Sequence, residues 1–394
     1  MPRWLPILLG FLTAVGPIST DMYLPAFPAI EAELGTQRGS VEITLAAWFI
    51  GLSVGQLVQG TLADRLGRRS PLLVGTAVYT LASIGCAVAT DMTMLSVFRC
   101  IAAFGGAASG VIPRAMVRDI ADGLAAAKLM SKLMLVMGAA PILAPSLGGL
   151  LLGFGGWRSI FWVCAAYGGL SCALAWWLLP ETLPPHRRVR HSPFNMVRDF
   201  VQIGRERGFF THACMAAAAM FSVFAFISGA PAVYIEQFNV PPEHFGLLFA
   251  VSATGFIGAS QLNPWLLKRL GQRRVPGLAV RLSAVAVLVL AVTAFTGFGG
   301  LWGVFVPAVV ALACTGLVFP NAAVGALSRH ASRAGSASAL LGTLQFSCAA
   351  VGSALVGALA DGTPRPMALL MLLGAAGALV AEKLRPRPVE TPIR

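Results

Sequence analysis

The sequence predicts an all-α integral membrane protein, with twelve transmembrane helices in two pseudo-symmetric six-helix bundles. Three observations carry that prediction: an apolar composition, twelve separate apolar runs, and a turn motif that recurs halfway along the chain. Of 394 residues 57% are hydrophobic and 11% charged, with a mean hydropathy of +0.77. An ordinary soluble domain carries about 25% charged residues, so a bilayer is the natural solvent for this chain.

The apolar runs fall at 5–29, 41–62, 71–90, 93–113, 129–153, 159–179, 210–232, 245–267, 276–297, 301–327, 336–360 and 366–382. Each approaches or exceeds the roughly 20 residues that cross a ~30 Å hydrocarbon core as a helix. Lipid leaves no partner for free backbone groups, so a span must be a helix or part of a closed barrel, and period-two barrel strands are absent from the sequence. Segment 1 continues too far for a cleavable signal and lacks a small-residue cleavage site; it is read as the first span. The polar stretch 181–208 separates six spans from six, giving a bundle over 1–180, a central loop over 181–208 and a second bundle over 209–394. A helix lying on the membrane is expected around Phe194–Ile203.

With the N-terminus placed in the cytoplasm, 25 of the 29 Lys and Arg residues fall on the inner side, and only Arg38, Arg158 and Arg365 fall outside. That asymmetry predicts that both termini are cytoplasmic. The net charge of +13 is spread over the short connections instead of forming one stripe, which argues against nucleic acid. The repeat is local: "DRLGRR" (64–69) follows segment 2 and "KRLGQRR" (268–274) follows segment 8, an offset of 204 residues at Gly67 and Gly271. Matched turns in matched positions point to two parallel repeats.

The first of these turns is the sharpest motif. Within Gly60–Arg69, Gly67 permits the reversal that follows a helix end. Arg65, Arg68 and Arg69 suit a positive inner loop, but such a loop needs no acid, and Asp64 is one. Asp64 is expected to face the N-terminal end of segment 11 near Gly335–Ser336, where free N–H groups attract an anion. Arg68 is expected to pair with Asp119 at the end of segment 4. Both contacts are expected to form as a cytoplasmic gate closes.

These residues resemble the signature loop of the major facilitator superfamily. With "TDMYLPAFP" (20–28), "RCIAAFGGAASGVIPRAMVRD" (99–119), "APILAPSLGG" (140–149), "GWRSIFW" (156–162), "LPETL" (179–183) and "FPNAAVGAL" (319–327), nearly the whole chain is similar to the Bcr/CflA group, the bicyclomycin-resistance type of proton-coupled drug exporters. The resemblance implies twelve spans, alternating access, and export of drug-like molecules in exchange for protons across a bacterial inner membrane. It also makes Ala140, Ala144, Pro145, Gly148 and Gly149 of segment 5 the antiporter motif, with Ala144 where the family usually has glycine. On the residues alone, these small positions allow a neighbouring helix to approach closely, and Pro141 and Pro145 bend the helix.

Asp21 is the one acid well inside a predicted span, and a charge there is costly unless it faces protein or water. Arg99 lies about two turns into segment 4. The resemblance gives that arginine a part in proton coupling. Two readings of Asp21 stand open: a protonatable carboxylate for which proton and substrate compete, or a fixed ion pair with Arg99 that locks helices. Arg99 itself could snorkel to the outer interface. Tyr23, Trp48, Gln56, Phe226, Asn321, Gln345 and Phe346 are candidates to line a substrate cavity, or to pack helix on helix.

No GxxxxGK[ST] motif is present, which leaves an ion gradient to drive transport, and a lone Asp21 favours H⁺ over a Na⁺ cage. The five histidines are dispersed and the seven cysteines form no CxxC pair, so no enzyme, metal site or cofactor is expected. The expected partners are a small drug-like substrate, protons and the bilayer, with the chain a monomer. A proton symporter importing a small metabolite is the rival reading, and a membrane scaffold without turnover the third.

Overall fold

The computed structural model describes residues 4–121, 123–188, 193–328, 330 and 334–385. Arg3, Arg190, His191, Arg329, Arg333 and the tail arginines beyond 385, all used in the sequence reading, lie outside them.

Segment 1 is a broken helix: α1 (Leu5–Thr13), α2 (Val15–Asp21), a 3₁₀ turn at Leu24–Ala26, and α3 (Phe27–Leu34). Pro25 and Pro28 lack the N–H that would continue the ladder, and the chain rewinds between them. Segments 2, 3 and 4 are α4 (Ser40–Leu66), α5 (Arg69–Ala87) and α6 (Met92–Ile120). Segments 5 and 6 form α7 (Gly123–Leu178), interrupted at Gly155 and Gly156, where Gly156 has φ +66°. Contacts show that α7 doubles back there. Gly10 of α1 faces Val136, Met22 faces Gly148, Arg158 reaches Ala89, and Trp176 returns to Arg69 at the end where α5 begins.

After α8 (Pro193–Arg205) come α9 (Arg207–Pro231), ending in a π turn over Ala232–Gln237, α10 (Pro242–Leu270), α11 (Arg274–Thr296), α12 (Gly300–Leu327), α13 (Ala334–Ala358) and α14 (Arg365–Lys383). Eleven helical stretches among the described residues are long and apolar enough to cross a membrane. One of them, Ala139–Leu178, contains the reversal, so the crossings number twelve. Large apolar side chains such as Leu81, Val285 and Leu373 remain exposed on the perimeter, as lipid-facing positions require.

Helices α1–α7 pack among themselves, as do α9–α14, and the halves meet along two seams, α4 on α13 and α7 on α10. The repeat is real in the backbone. Gly67 (φ +96°, ψ 172°) and Gly271 (φ +81°, ψ 157°) end α4 and α10 in the same glycine-only conformation. α8, the expected surface helix, packs on α9 and α13.

Candidate functional site

Two ends of the molecule are distinguished by chemistry: the basic end, with the 64–69 and 268–274 turns, and the far end, with Arg38 and Glu236. At the far end the seams are closed by small residues. Gly39 of the turn before α4 and Gly357 of α13 lie backbone to backbone. Gly148 abuts the Met22 carbonyl, Gly149 abuts Pro242 of α10, and Gly246 sits on Ser146. A side chain at any of these glycines would collide with backbone, so the antiporter-motif stretch brings segment 5 against segment 1 on one side and segment 8 on the other. Ala144 and Pro145 are buried in the same stretch, and Ala140 is half-buried. Deeper along the α4–α13 seam, the Ser53 hydroxyl meets the Ser347 hydroxyl at 3.0 Å and donates to the Thr343 carbonyl at 3.2 Å. Phe346 stacks on Phe49 at 6.1 Å across the same seam.

Toward the basic end the halves part, leaving a cavity of about 310 Å³. Gln56, Gly60, Asp64, Arg114 and Arg118 line it from the first half, and Ser336 lines it with its neighbour Gly335 from α13. Asp64 and the α13 N-terminus thus border one space, with the Asp64 carboxylate held by Arg68. The Arg114 Nε–H donates to its own helix at the Gly110 carbonyl, 2.6 Å away, and no acid pairs with Arg114 among the described residues.

Beside this cavity the first turn is clamped. Arg68 Nε donates to Asp119 Oδ2 at 2.8 Å, and its Nη1 donates to Asp64 Oδ1 at 2.5 Å. The expectation tied the Arg68–Asp119 contact to closure of this end. The structure has it formed alongside the cavity, because both partners belong to the same half. The network also includes a residue that sequence reasoning missed. Glu181, just beyond α7, accepts the backbone N–H of Arg68 at 2.8 Å, of Arg69 at 3.3 Å and of Leu183 at 2.9 Å. It caps α5 from 113 residues away, satisfying donors that a helix start leaves free. Thr182 donates to Asp119 at 3.0 Å. Arg69 reaches the Trp176 carbonyl at 2.5 Å, and Arg65 lines the cavity. Burial disfavours the Glu181 charge, but these N–H groups and Arg188 outweigh it and hold the carboxyl below its usual range. For Arg68, burial likewise opposes the charge, and Asp119 and Asp64 overcome it, leaving its pKa raised. An acid embedded in a basic stretch was the available signal for Glu181, the same signal that identified Asp64.

Asp21 and Arg99 are both enclosed, at 6% and 1% exposed, and they do not pair. Arg99 Nη1 donates to the Ser19 carbonyl at 2.8 Å, and its guanidinium lies 4.5 Å from the ring centres of both Tyr23 and Trp48. Ser19 and Tyr23 are four residues apart and share a face. Asp21, about 200° round from Ser19 at ~100° per helical residue, points away from it. Helix phase therefore separates the two groups, and the fixed ion pair is absent from this structure. Arg99 does not snorkel either; aromatic faces hold its charge. Asp21 makes no hydrogen bond or ion pair with the described residues and does not line the cavity.

Of the cavity candidates, Gln56 alone lines the space. Tyr23 and Trp48 enclose Arg99. Phe226 packs on Tyr234 and Phe249 inside the second half. Asn321 donates to Asn263 at 2.7 Å, holding α12 to α10. Gln345 is half-buried on α13.

Comparison with known proteins agrees with this architecture. The family model described as Major Facilitator Superfamily matches residues 9–353. The uncharacterized MFS-type transporter YdgK of Bacillus subtilis (strain 168) is 34% identical over 377 residues, covering 94% of this chain and 92% of that protein. A bicyclomycin resistance protein homolog of Haemophilus influenzae is 28% identical, covering 93% and 92%. Multidrug resistance protein D of Escherichia coli (strain K12) is 26% identical, covering 93% and 92%. In fold, a bacterial homologue of the human lysosomal transporter Spinster, solved inward-facing and unoccupied, superposes with a TM-score of 0.76 at 16% identity, covering 97% of each chain. The xylose transporter XylE from E. coli superposes with a TM-score of 0.74 at 13% identity, covering 97% of each chain. These relatives are transporters rather than enzymes, and with residues 9–353 matched the chain belongs to the major facilitator superfamily, where it resembles the Bcr/CflA-type drug transporters.

Proposed function

We propose that this protein is a proton-coupled exporter of small amphipathic, drug-like molecules in a bacterial inner membrane, with its basic end in the cytoplasm. The observation that carries the proton coupling is Asp21, enclosed in the first half with no cation paired to it among the described residues. A bare carboxylate is costly in such a place, so exchange of a proton with water must accompany any movement that exposes it. Alternating access supplies that movement. In the arrangement seen, the far end is sealed by glycine contacts along both seams while the cavity separates the halves at the basic end. Rocking about the Ser53–Ser347 level would close the second and open the first.

The cavity lining supports a finer reading of the substrate. Arg68 is neutralised by Asp64 and Asp119, but Arg114 and Arg118 are not paired with acids among the described residues. Neutral or anionic amphipaths suit such walls better than cations. Names of the relatives, bicyclomycin resistance and multidrug resistance, support drug-like cargo. The test is efflux across a compound panel in a pump-deficient host, with and without a protonophore. Export of neutral and weakly acidic compounds that collapses with the proton gradient is expected. Uptake in place of export would favour the symporter.

A further inference from the structure

The far end holds a group of acids that export through Asp21 leaves unused. Glu31 comes from α3, Glu42 from the first turn of α4, and Glu236 from the π turn after α9, so carboxylates of both halves meet where the seam closes. Two are committed. Glu31 Oε1 accepts the Val41 N–H at 3.2 Å and so caps α4. Glu236 pairs with Arg38 at 3.2 Å, and Arg38 is 63% exposed, so water screens most of its charge.

Glu42 has no such arrangement. It is 3% exposed, and its Oε2 has no hydrogen-bond partner among the described residues. A side chain begun at Gly357 of α13 would meet the Glu42 Cβ at 2.9 Å, so the other half presses directly on it. None of the elements packed around it brings a countercharge to it among the described residues. Glu31 and Glu236 face it with the same sign. Glu33, also on α3, is held by Arg158 and Trp157. The Tyr23 hydroxyl is bonded to Thr44. Gly357 brings no charge, and Asp361 beyond α13 is taken up by its own turn, accepting the Thr363 N–H at 2.8 Å. The positive end of the α4 dipole favours an anion, but Glu31 already occupies it. A carboxylate walled in with like charges and no cation is held there at high cost.

We propose that Glu42 is a second proton-binding site of this transporter, separate from Asp21, and that the far mouth seals only with that proton in place. On closing, a proton passes from external water to a Glu42 oxygen. On opening, it returns to water, and the three carboxylates, again hydrated, repel one another and keep the mouth apart. The assignment of this mouth to the outside rests on the export reading; the seal itself does not.

The test measures the seal directly. Spin labels replace Gln37 and Gln237, exposed on the two halves beside the mouth, in full-length protein whose native cysteines have been replaced, reconstituted in lipid nanodiscs. Raising the pH should lengthen the label separation in the parent, while Glu42→Gln stays short throughout. Lengthening of the Glu42→Gln protein at the same pH as the parent overturns the proposal. A second measurement does not depend on that variant folding. In Asp21→Asn, infrared difference spectra should show a protonated carboxyl that is lost over the pH range in which the mouth opens; no such band overturns the proposal equally. An intact pH-dependent seal in a protein that exports nothing would support the site and fault the export reading alone.

Discussion

The two halves end their second helices with the same turn and put it to different use. Gly67 and Gly271 adopt the same left-handed backbone, and Arg68 and Arg273 then open α5 and α11 in the same helical conformation, one inserted residue, Gln272, apart in register. Around Arg68 stand Asp64, Asp119 and, through the backbone, Glu181. The Arg273 side chain is exposed and pairs with no acid among the described residues: Lys268 replaces Asp64, and the tether from beyond the last helix is Arg385, whose Nη2 donates to the Arg273 carbonyl at 3.2 Å and to Glu382 at 2.9 Å. Glu181 and Arg385 are 204 residues apart, the offset of the glycines themselves. Both halves therefore tie this turn to the chain leaving the bundle, but only the first pairs the arginine after the glycine with acids, beside the cavity. Glycine supplies the turn; the acids supply the clamp.

The largest break in that comparison is expected from the arginines. Arg68→Ala strips its partner from Asp119 and should cost about 3 kcal/mol, the scale for breaking a largely buried pair, and abolish export. Arg273→Ala should fall within about 0.5 kcal/mol of the parent, as exposed substitutions do. Thermal unfolding and efflux of the two variants side by side would measure the contrast; equal effects would remove the functional distinction between the turns.

Next come the glycines. Either alanine variant bears a backbone penalty of roughly 1–3 kcal/mol. At Gly67 the new methyl also strikes the Glu181 carboxylate, whereas at Gly271 it meets open space. Gly67→Ala should therefore be the less stable of the two, and a smaller loss there than at Gly271 would contradict the packing described.

The smallest effect concerns pH. The folded protein holds Glu181 below the ordinary carboxylate value of 4.5, so its unfolded pKa is the higher one. Its contribution is complete above that value and is lost as pH falls below it toward the folded pKa. Glu181→Gln should be less stable at neutral pH and should approach the parent in acid. Because Glu181 is about one-third exposed, solvent screening keeps the difference modest. Parallel melting curves across pH 7 to 3 would reveal it, and a constant gap would rule out titration of this group.

Much of this was legible in the residues, and the reason lies in distance along the chain. Twelve apolar runs, the doubled turn and the Arg68–Asp119 pair follow from local pattern and charge sign. Pro25 and Pro28 are the local cause of the break in segment 1, and the adjacent Gly155 and Gly156 of the reversal in α7. Glu181 was not assigned, since nothing local says that an acid beyond one helix caps another 113 residues earlier. Asp21 and Arg99 were both identified, but their separation depends on which face of α2 meets α6. Glu42 stands near the start of segment 2 in the sequence, and its burial requires α13, more than 290 positions away.

In the proposed exchange, Asp21 is the group that couples proton to cargo. Its most direct test is purified protein in liposomes loaded with a pH-sensitive dye, with an exported compound added and proton movement recorded. The parent should move protons opposite to the compound, and Asp21→Asn should bind the compound yet move no protons with it. Undiminished coupled proton flux through Asp21→Asn would contradict the account.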